Sequence, residues 1–291
     1  MKRRILICSI IRNSLPHLPT WFNQILLLQS LCSNEWDMYL SVVENDSEDG
    51  TAEWLHHELP LWVHGSPFEG KGIVISEKLG TRQFTSVWSA ERMKNLASAR
   101  QKCLNQAKEK WGLDTFDKIA YIEPDVTYNP EWCSELVLAI HPRAAGIGEP
   151  DIYSGWSLRS HDNPKESVFL YDTCVTRQTD KDLCWNFARD GDGTWRGESL
   201  VKTGLTGIHA NCLHSVWSTF NCFCVYNAIP FIEGAKWDYV NARLDTRQEK
   251  VVSQSGVYGT LDADTVIICE DFRRAGYDKV FLNTNCLIRH A

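Results

Sequence analysis

The chain has 291 residues, of which 43% are hydrophobic and 23% are charged, and a formal net charge of −7. This length suits one large domain or two small ones, and the composition excludes collagen-like, coiled-coil and largely disordered chains. The acidic balance argues against a nucleic-acid partner, because phosphate-rich polymers are bound by basic surfaces.

Cysteine usage and the amino terminus both bear on the compartment. None of the eleven cysteines forms a C-x-x-C pair, so reduced core thiols in the cytoplasm are favoured over a metal or disulfide framework. The apolar run after Met1 is short and continues into Arg12, which is typical of a buried strand rather than a signal peptide. No run of about 18 apolar residues occurs, so the sequence predicts no transmembrane segment and leaves peripheral contact with a membrane as the alternative.

The first half of the chain alternates strand-like and helix-like segments. Apolar runs at Ile5–Ile11 and Met38–Val43 predict strands. Between and after them we expect helices at Thr20–Cys32 and from Ala52, the second capped by Thr51. This βαβα order is typical of an α/β fold with a mostly parallel sheet.

The middle of the chain contains the most regular helical pattern. After a polar stretch at Glu69–Arg82, one apolar face predicts a helix over Ala90–Trp111 that ends at Gly112. Lys118–Ile122 then predicts a short buried strand. From about 150 to 215 the pattern becomes irregular, which predicts a loop-rich insert within a single domain. In the last part we expect strands at Phe220–Tyr226, Val266–Cys269 and Val280–Leu282, and a short helix from Glu270 to Gly276.

A cluster of acids, Glu44, Asp46 and Asp49, follows the second predicted strand. In an open α/β sheet, ligands bind beyond the carboxyl ends of the strands, where acids accept hydrogen bonds from ribose hydroxyls or base N–H groups. The cluster therefore predicts a nucleotide-binding loop. The alternative is a solvated turn whose acids serve only the backbone.

Two further acids, Glu123 and Asp125, come directly after the buried strand Lys118–Ile122. Neighbouring carboxylates repel each other unless a cation lies between them. A hard divalent cation, Mn²⁺ or Mg²⁺, would bind carboxylates on one side and a substrate diphosphate on the other. The pair therefore predicts a metal site, although an E-x-D triplet also arises by chance.

A third acidic site, Glu270 and Asp271, stands where the predicted strand Val266–Cys269 passes into a predicted helix. A functional role would place Asp271 against the reacting carbon or the acceptor hydroxyl, with Glu270 contributing to acceptor binding. The alternative is structural, because acids in a first helical turn are favoured by the helix dipole.

Taken in order, these three acidic sites resemble the layout of GT-A nucleotide-sugar glycosyltransferases. Four segments span most of the chain: Glu44–Thr51, Arg92–Arg100, Ser218–Phe231 and Cys269–Asp271 leading to Ile288–His290. They carry a closer resemblance, to the fungal capsule-associated α-1,3-mannosyltransferase family. The metal motif here is Glu-Pro-Asp rather than two aspartates, and we expect no counterpart of the fungal proteins' amino-terminal membrane anchor.

The resemblance implies a single GT-A domain over residues 1–291, with the nucleotide bound by about residues 1–130 and the acceptor by about 131–291. It implies a metal-dependent transfer of a hexose to a glycan hydroxyl. The favoured donor is GDP-mannose, which would supply mannose, and the alternative donor is a UDP-sugar. The cysteine usage and the departure from the fungal anchor lead us to expect a cytoplasmic protein that contacts a membrane at most peripherally.

The resemblance also assigns residues to the metal and the nucleotide. It implies that Asp125 binds Mn²⁺ or Mg²⁺, that Glu123 assists or contacts the ribose, and that His290 supplies a further ligand. Glu44 and Asp49, together with Asp46 of the same cluster, become nucleotide-sugar-binding candidates.

Two arginines add to the nucleotide-binding candidates. Arg100 falls on the otherwise apolar stripe of its predicted helix, four residues from Leu96 and four from Leu104. An arginine there extends to the surface or meets an anion, and a nucleotide diphosphate is the candidate anion. Arg92 is the second choice.

The acceptor pocket is the least defined part of the prediction. His214, Trp217 and Asn221 are its candidates, with a structural role as the alternative. Competing enzyme classes lack their motifs: there is no G-x-x-x-x-G-K, no G-x-G-x-x-G and no G-x-S-x-G. A non-catalytic carbohydrate-binding protein with the same fold and Trp-rich loops is the alternative from another class.

Overall fold

The computed structural model describes residues 2–81, 90–159, 169–170, 176, 212–238 and 264–290. Most of the predicted loop-rich insert, including Trp185 and Trp195, lies outside these residues. The described residues form one sheet with helices on both faces. The α-helices are α1 (Leu18–Cys32), α2 (Thr51–Val63), α3 (Ala90–Trp111), α4 (Pro130–Leu138), α5 (Ile140–Ala144), α6 (Ile229–Ile232) and α7 (Asp264–Arg274). The strands are β1 (Arg3–Ile11), β2 (Trp36–Asn45), β3 (Gly72–Glu77), β4 (Lys118–Ile122), β5 (Val126–Tyr128), β6 (Ile152–Arg159), β7 (Phe169–Leu170), β8 (Leu213–Ser215), β9 (Phe223–Asn227) and β10 (Val280–His290).

The described strands are ordered β3-β2-β1-β4-β9-β6-β10-β5, with β7 beside β6 and β8 beside β10. β3, β2, β1 and β4 are parallel, as the βαβα pattern predicts. β9 is antiparallel to both β4 and β6, while β6 and β10 are parallel and β5 is antiparallel to β10. The predicted α/β fold is therefore confirmed, with parallel pairing concentrated in the amino-terminal half.

Burial on both faces explains the continuous apolar run of β1. Ile5 and Ile7 pack with residues of α1, α2 and α4 on one face of the sheet. Leu6 and Cys8 pack with residues of α3 and α7 on the other face. A strand covered on both faces needs apolar residues at every position, so its sequence shows no alternation.

Helix α3 and strand β4 have the predicted bounds, but the stretch Glu69–Arg82 differs from its prediction. It contains β3, which pairs in parallel with β2 at the edge of the described sheet. All six residues of β3 are partly exposed. Its centre, Ile73-Val74-Ile75, is a short β-branched run that favours a strand, and the interpretation of the whole stretch as polar overlooked it.

The prediction of a strand at Val266–Cys269 is wrong, because these residues lie inside α7. Four consecutive apolar residues fit a buried strand and a buried helix equally well. Here every residue from Asp264 to Glu270 is buried, so the helix shows no polar face over this length. Glu270 and Asp271 consequently lie in the second half of a helix and not at a strand-to-helix junction.

Three boundaries also need correction. The predicted strand Phe220–Tyr226 is β9 over Phe223–Asn227, because Asn221 and Cys222 lie in a turn with φ values of 51° and 62°. Thr51 is the first residue of α2 rather than its cap, since Gly50 precedes the helix with a φ of 92°, and the Thr51 hydroxyl accepts the N–H of Ser14 at 2.8 Å. The last strand continues beyond Leu282 to His290. Among the described helices, none combines the length and apolar character that crossing a bilayer requires.

Candidate active site

A cleft of about 380 Å³ opens where β1, β2 and β4 end. In an open α/β sheet ligands bind at this position, beyond the carboxyl ends of the strands. Its described walls come from the loop after β1, the end of β2, the first half of α3 and the loop after β4. The lining residues are Ile10, Ile11, Arg12, Ser14, Asn45, Arg92, Asn95, Leu96, Ala99, Glu123, Pro124 and Asp125.

The loop after β4 carries both predicted metal-binding acids and is fixed from two sides. The Ser9 hydroxyl donates to the carbonyl oxygen of Ile122 at 2.6 Å, and the N–H of Glu123 donates to the carbonyl oxygen of Cys222 at 2.9 Å. Asn221 and Cys222 have φ values of 51° and 62°, which residues other than glycine rarely adopt. The turn before β9 thus holds an uncommon conformation at the point where it anchors Glu123.

Arg100 pairs with two acids at the base of the cleft. It is only 3% exposed and donates to the carboxylates of Asp264 and Glu123, the latter at 3.0 Å between Nη2 and Oε1. The ring of Phe220 lies 4.6 Å from its guanidinium carbon. Burial disfavours the charged form, but the two carboxylates outweigh burial and raise the pKa of Arg100. The anions that Arg100 meets among the described residues are these two carboxylates, and contact with a diphosphate stays a prediction.

The first half of α3 supplies polar groups to the cleft, since Arg92 and Asn95 both line it. The Nδ2 atom of Asn95 is buried and has no hydrogen-bond acceptor among the described residues. A buried donor left unsatisfied costs about 1–3 kcal/mol, and an oxygen of a ligand would remove that cost. An amide donor and a guanidinium on one helix suit a phosphate-bearing or hydroxyl-rich ligand.

Asp46 stabilises the wall of the cleft. Its carboxylate accepts hydrogen bonds from the N–H groups of Gly80 at 2.9 Å and Thr81 at 3.0 Å. Desolvation opposes ionisation, but the hydrogen bonds from Thr81 and Gly80 outweigh it and hold the pKa of Asp46 well below its usual range. Arg12, which lines the cleft, donates to the Thr81 carbonyl oxygen at 2.7 Å. Asp46 therefore supports the cleft through the residues after β3.

Glu44 and Asp49 likewise hold the backbone. Glu44 is 2% exposed and accepts a backbone N–H three residues further on at 2.9 Å. Asp49 accepts the N–H groups of Leu15 and Thr51, both at 3.0 Å. Desolvation opposes ionisation of Asp49, but its hydrogen bonds with Thr51 and Leu15 together outweigh desolvation and lower its pKa. These contacts are the ones expected of a structural turn. In this segment the cleft is lined by Asn45 instead, and nucleotide contact by the acids stays a prediction.

The metal candidates converge only in part. Glu123 and Asp125 line the cleft, and the register of β10 with β5 sets His290 opposite Val126, directly after Asp125. The side chain of His290 is outside the described structure. Among the described residues, no group of three or more His, Cys, Asp or Glu could hold a metal ion. Mg²⁺ is commonly bound by one or two carboxylates together with substrate phosphates, so the two acids fit a cation that binds with a diphosphate.

Helix α7 brings Asp264, rather than Glu270 or Asp271, to Arg100, which also pairs with Glu123 of the cleft. Asp271 lies seven residues further on, about 10 Å along the helix axis. There it pairs with Arg274 at 2.7 Å, and desolvation outweighs this partner and raises the pKa of Asp271. Neither predicted acid is among the described residues that line the cleft. Their position gives no support to a catalytic role.

A protein-family model described as Cryptococcal mannosyltransferase 1 matches residues 4–255, more than half of the chain. The chain belongs to this family. The resemblance drawn from the sequence segments is thereby confirmed, and membership of the family supports a glycosyltransferase function. No curated protein matches the chain.

Three solved structures are similar to this family member at low identity. One is S. aureus TarS 1–349, with 9% identity, a TM-score of 0.47, and coverage of 100% of this chain and 60% of that one. Another is the mannosyltransferase PcManGT from Pyrobaculum calidifontis in complex with GDP-Man and Mn²⁺, with 12% identity, a TM-score of 0.47, and coverage of 99% and 57%. A third is glucosyl-3-phosphoglycerate synthase from Mycobacterium tuberculosis in complex with Mg²⁺ and UDP, with 13% identity, a TM-score of 0.44, and coverage of 99% and 72%. The chain thus spans about 60% of the length of the first two.

In this family member the predicted acceptor residues fall in two places. His214 lies in β8, opposite Leu282 of β10, and Trp217 stacks against the guanidinium of Arg273 at 4.3 Å. Asn221 lies in the turn that anchors the loop after β4, and it is fully buried. Among the described residues none of the three lines the cleft, so acceptor contact stays a prediction.

Three residues in or beside the cleft were not expected from the sequence: Asp264, Asn95 and Arg12. Asp264 stands two residues before the apolar run of α7, and an acid there indicates a helix start once the run is assigned as helical. Arg12 follows β1 directly, so its place at a strand end was a usable signal. No local signal marks Asn95, because its role depends on the loop after β4 rather than on its own helix.

Proposed function

We propose that the protein is a metal-dependent glycosyltransferase that moves mannose from GDP-mannose to a hydroxyl of a glycan. The observation that carries this proposal is the cleft beyond β1, β2 and β4, which the acids Glu123 and Asp125 share with Arg92 and Asn95 of α3. Carboxylates for a cation and donors for phosphate are the two groups that a nucleotide-diphosphate sugar requires. Membership of a mannosyltransferase family supports the transfer of a sugar.

The proposed metal ligands lie at the ends of two strands. Asp125 would be the main ligand of Mn²⁺ or Mg²⁺, with Glu123 and His290 as further ligands from the loop after β4 and the end of β10. A cation bound there supplies positive charge that offsets the charge developing on the departing nucleoside diphosphate. The chain itself fixes the loop that carries the two carboxylates, through the hydrogen bonds from the Ser9 hydroxyl and the Glu123 N–H.

The remaining side chains of the cleft bind and position the donor. Arg92 pairs with phosphate oxygens, and Asn95 donates its unsatisfied N–H to a phosphate or ribose oxygen. Arg100 acts as a positioning residue, because it bridges Glu123 to Asp264 beneath the cleft. Glu44, Asp46 and Asp49 shape the loops around the nucleotide through their backbone contacts.

The choice of donor rests on the family rather than on local chemistry. Amides, acids and backbone groups in the cleft can bond guanine, uracil or a ribose equally well. The family's description as a mannosyltransferase favours GDP-mannose, and a UDP-hexose is the second candidate.

Thermal-shift measurements with sugar nucleotides and Mn²⁺, each alone and in combination, test the proposal. We expect GDP-mannose and Mn²⁺ together to raise the melting temperature by several degrees, and either alone to raise it much less, because the donor and the cation bind jointly. Asp125→Asn should abolish the joint rise, while Asp117→Asn, at the opposite end of β4, should keep it. A rise with UDP-hexoses and none with GDP-mannose would overturn the donor and keep the transferase. No rise with any nucleotide sugar would overturn the proposal.

A further inference from the structure

A second concave surface lies between α1 and the start of α4, and we call it the α1–α4 groove. It has a volume of about 580 Å³. Leu27, Leu31 and Trp132 line it and are 56%, 45% and 58% exposed. Large apolar side chains that remain exposed together on a folded domain mark a surface that binds something.

The groove also carries many hydrogen-bonding groups, which limit the chemical class of ligand that can bind there. Ser30, Thr127, Asn129, Glu131 and Arg289 line it beside the apolar residues. The centre of a protein-binding surface is depleted of charged side chains, and a lipid surface offers few partners for an amide and a carboxylate. A sugar ring has apolar C–H faces and a rim of hydroxyls, so it suits aromatic and aliphatic side chains interspersed with polar ones.

Local structure holds the aromatic residue of the groove in place. Pro130 opens α4, and Asn129 caps it by accepting the N–H groups of Glu131 at 2.8 Å and Trp132 at 3.4 Å. Trp132 therefore stands in a capped first helical turn rather than in a loop. A ring presented in this way loses little conformational entropy when a ligand stacks on it.

The groove is continuous along the chain with the proposed transfer site. Asp125 lines the cleft, and Thr127, two residues along β5 and about 7 Å away, lines the groove. The end of β10 makes the same connection, since His290 is opposite Val126 and Arg289 is opposite Thr127. The two surfaces are therefore neighbours along β5, although α3 of the cleft and the pair α1 and α4 of the groove cover opposite faces of the sheet.

We propose that the α1–α4 groove binds the acceptor glycan, with one sugar ring stacked on Trp132 and neighbouring hydroxyls bonded to Asn129, Glu131 and Arg289. This inference rests on the proposed function, because an acceptor presupposes a transferase. The groove holds units of the acceptor that do not react. It therefore contributes to acceptor binding and leaves the chemical step to the cleft.

The test measures glycan binding and transfer separately. Manno-oligosaccharides of two to six units are titrated into the full chain without a sugar nucleotide, followed by ligand-observed NMR, with gluco-oligosaccharides as a second series. We expect the affinity to rise with chain length and to fall about 2–10-fold in Trp132→Ala, the range expected for loss of one aromatic stacking contact. Trp132→Phe should recover part of it, and Ile140→Ala, which removes a 54% exposed side chain outside the groove, should change nothing.

Transfer assays then separate the two proposals. In Trp132→Ala the acceptor KM should rise for long acceptors, with kcat and the KM for the sugar nucleotide unchanged. Equal affinities of wild type and Trp132→Ala, or no binding of either oligosaccharide series, would overturn the proposal that the groove binds glycan, even if transfer is observed. Glycan binding that depends on Trp132 without any transfer would overturn the proposed function and leave the groove as a glycan site. Dimerisation or vesicle binding lost in Trp132→Ala, without an effect on glycans, would assign the groove to another occupant and overturn the inference.

Discussion

The two ends of the parallel strands both gather charged side chains, but they use them differently. At the amino ends, Arg3 of β1 pairs with Glu149, with one contact of 2.8 Å, and also stacks on Trp36 of β2 at 4.2 Å. Lys118 of β4 donates to the carbonyl oxygen of Val137 at 2.9 Å. These charged side chains are paired with each other or hydrogen-bonded to the backbone. At the carboxyl ends, a comparable cluster adjoins the cleft.

Pairing and burial shift the pKa values of two groups at the amino ends in ways that have opposite effects on stability. The hydrogen bond from Arg3 lowers the pKa of Glu149 to about 2, and burial lowers the pKa of Lys118 to about 8. At the carboxyl ends, the buried pair of Arg100 and Asp264 has Glu123 as its third member, and Glu123 lines the cleft. Clustered charge alone therefore does not mark a functional site. Its position at the carboxyl ends of the strands does.

The largest effect that this comparison predicts is on catalysis. Asp125→Asn should lower kcat/KM roughly 10³-fold, because the metal ligand contributes several kcal/mol to stabilising the leaving diphosphate. Asp117→Asn, at the amino end of the same strand, should leave kcat/KM nearly unchanged. Steady-state transfer assays with matched unfolding curves check both. Near-normal turnover in Asp125→Asn would remove the metal assignment.

The next effect is on stability. Asp264→Asn should lower the free energy of unfolding by about 3 kcal/mol, because it removes one partner of a buried arginine. Glu149→Gln at the other end should cost about 1 kcal/mol, since its side chain is 33% exposed and its pairs are screened by water. Urea unfolding at pH 7 measures both. Equal losses would show that the two clusters are energetically alike.

A pH dependence should distinguish the amino end. Between pH 8 and 10.5 the unfolded chain binds a proton at Lys118 that the folded chain does not. The contribution of Lys118 to the free energy of unfolding therefore becomes more favourable as the pH rises through this range. The free energy of unfolding of wild type should therefore rise relative to Lys118→Met by roughly 2–3 kcal/mol over this range. Parallel pH profiles for the two proteins would contradict the lowered pKa.

The smallest effect should be at Asp271, which the sequence predicted to be catalytic. Because it lies beside Arg274 and away from the described cleft, Asp271→Asn should keep kcat within about twofold and change the free energy of unfolding by less than about 1 kcal/mol. Transfer assays and melting curves measure this. A fall in kcat of about 10²–10⁴ would instead restore its assignment as a base.

The sequence was sufficient for elements whose pattern has one interpretation. A two-sided apolar run identified β1 and β4, and a long apolar stripe identified α3. The pattern failed in the first half of α7, where burial of every residue removed the contrast between faces. It did not fail in β3, whose short run Ile73-Val74-Ile75 was overlooked inside a stretch taken as polar.

The candidate site was predictable only where a residue's place in the sequence fixes its place in the fold. Glu123 and Asp125 could be assigned from their place after β4, since strand order alone puts them at the ligand-binding edge. The partner of Arg100 could not, because Asp264 is 164 residues away and is brought to it only by the packing of α7 against α3. Asn95 could not either, because an asparagine on a helix becomes a candidate only once the loop after β4 is seen beside it.

The central claim is that the donor binds at the carboxyl ends of β1, β2 and β4. A crystal structure of the protein with GDP-mannose and Mn²⁺ tests it most directly. The account predicts the metal ion on the carboxylate of Asp125 and the diphosphate within hydrogen-bond distance of Arg92 and Asn95. A metal ion held by other residues, or a donor bound outside this cleft, would contradict it.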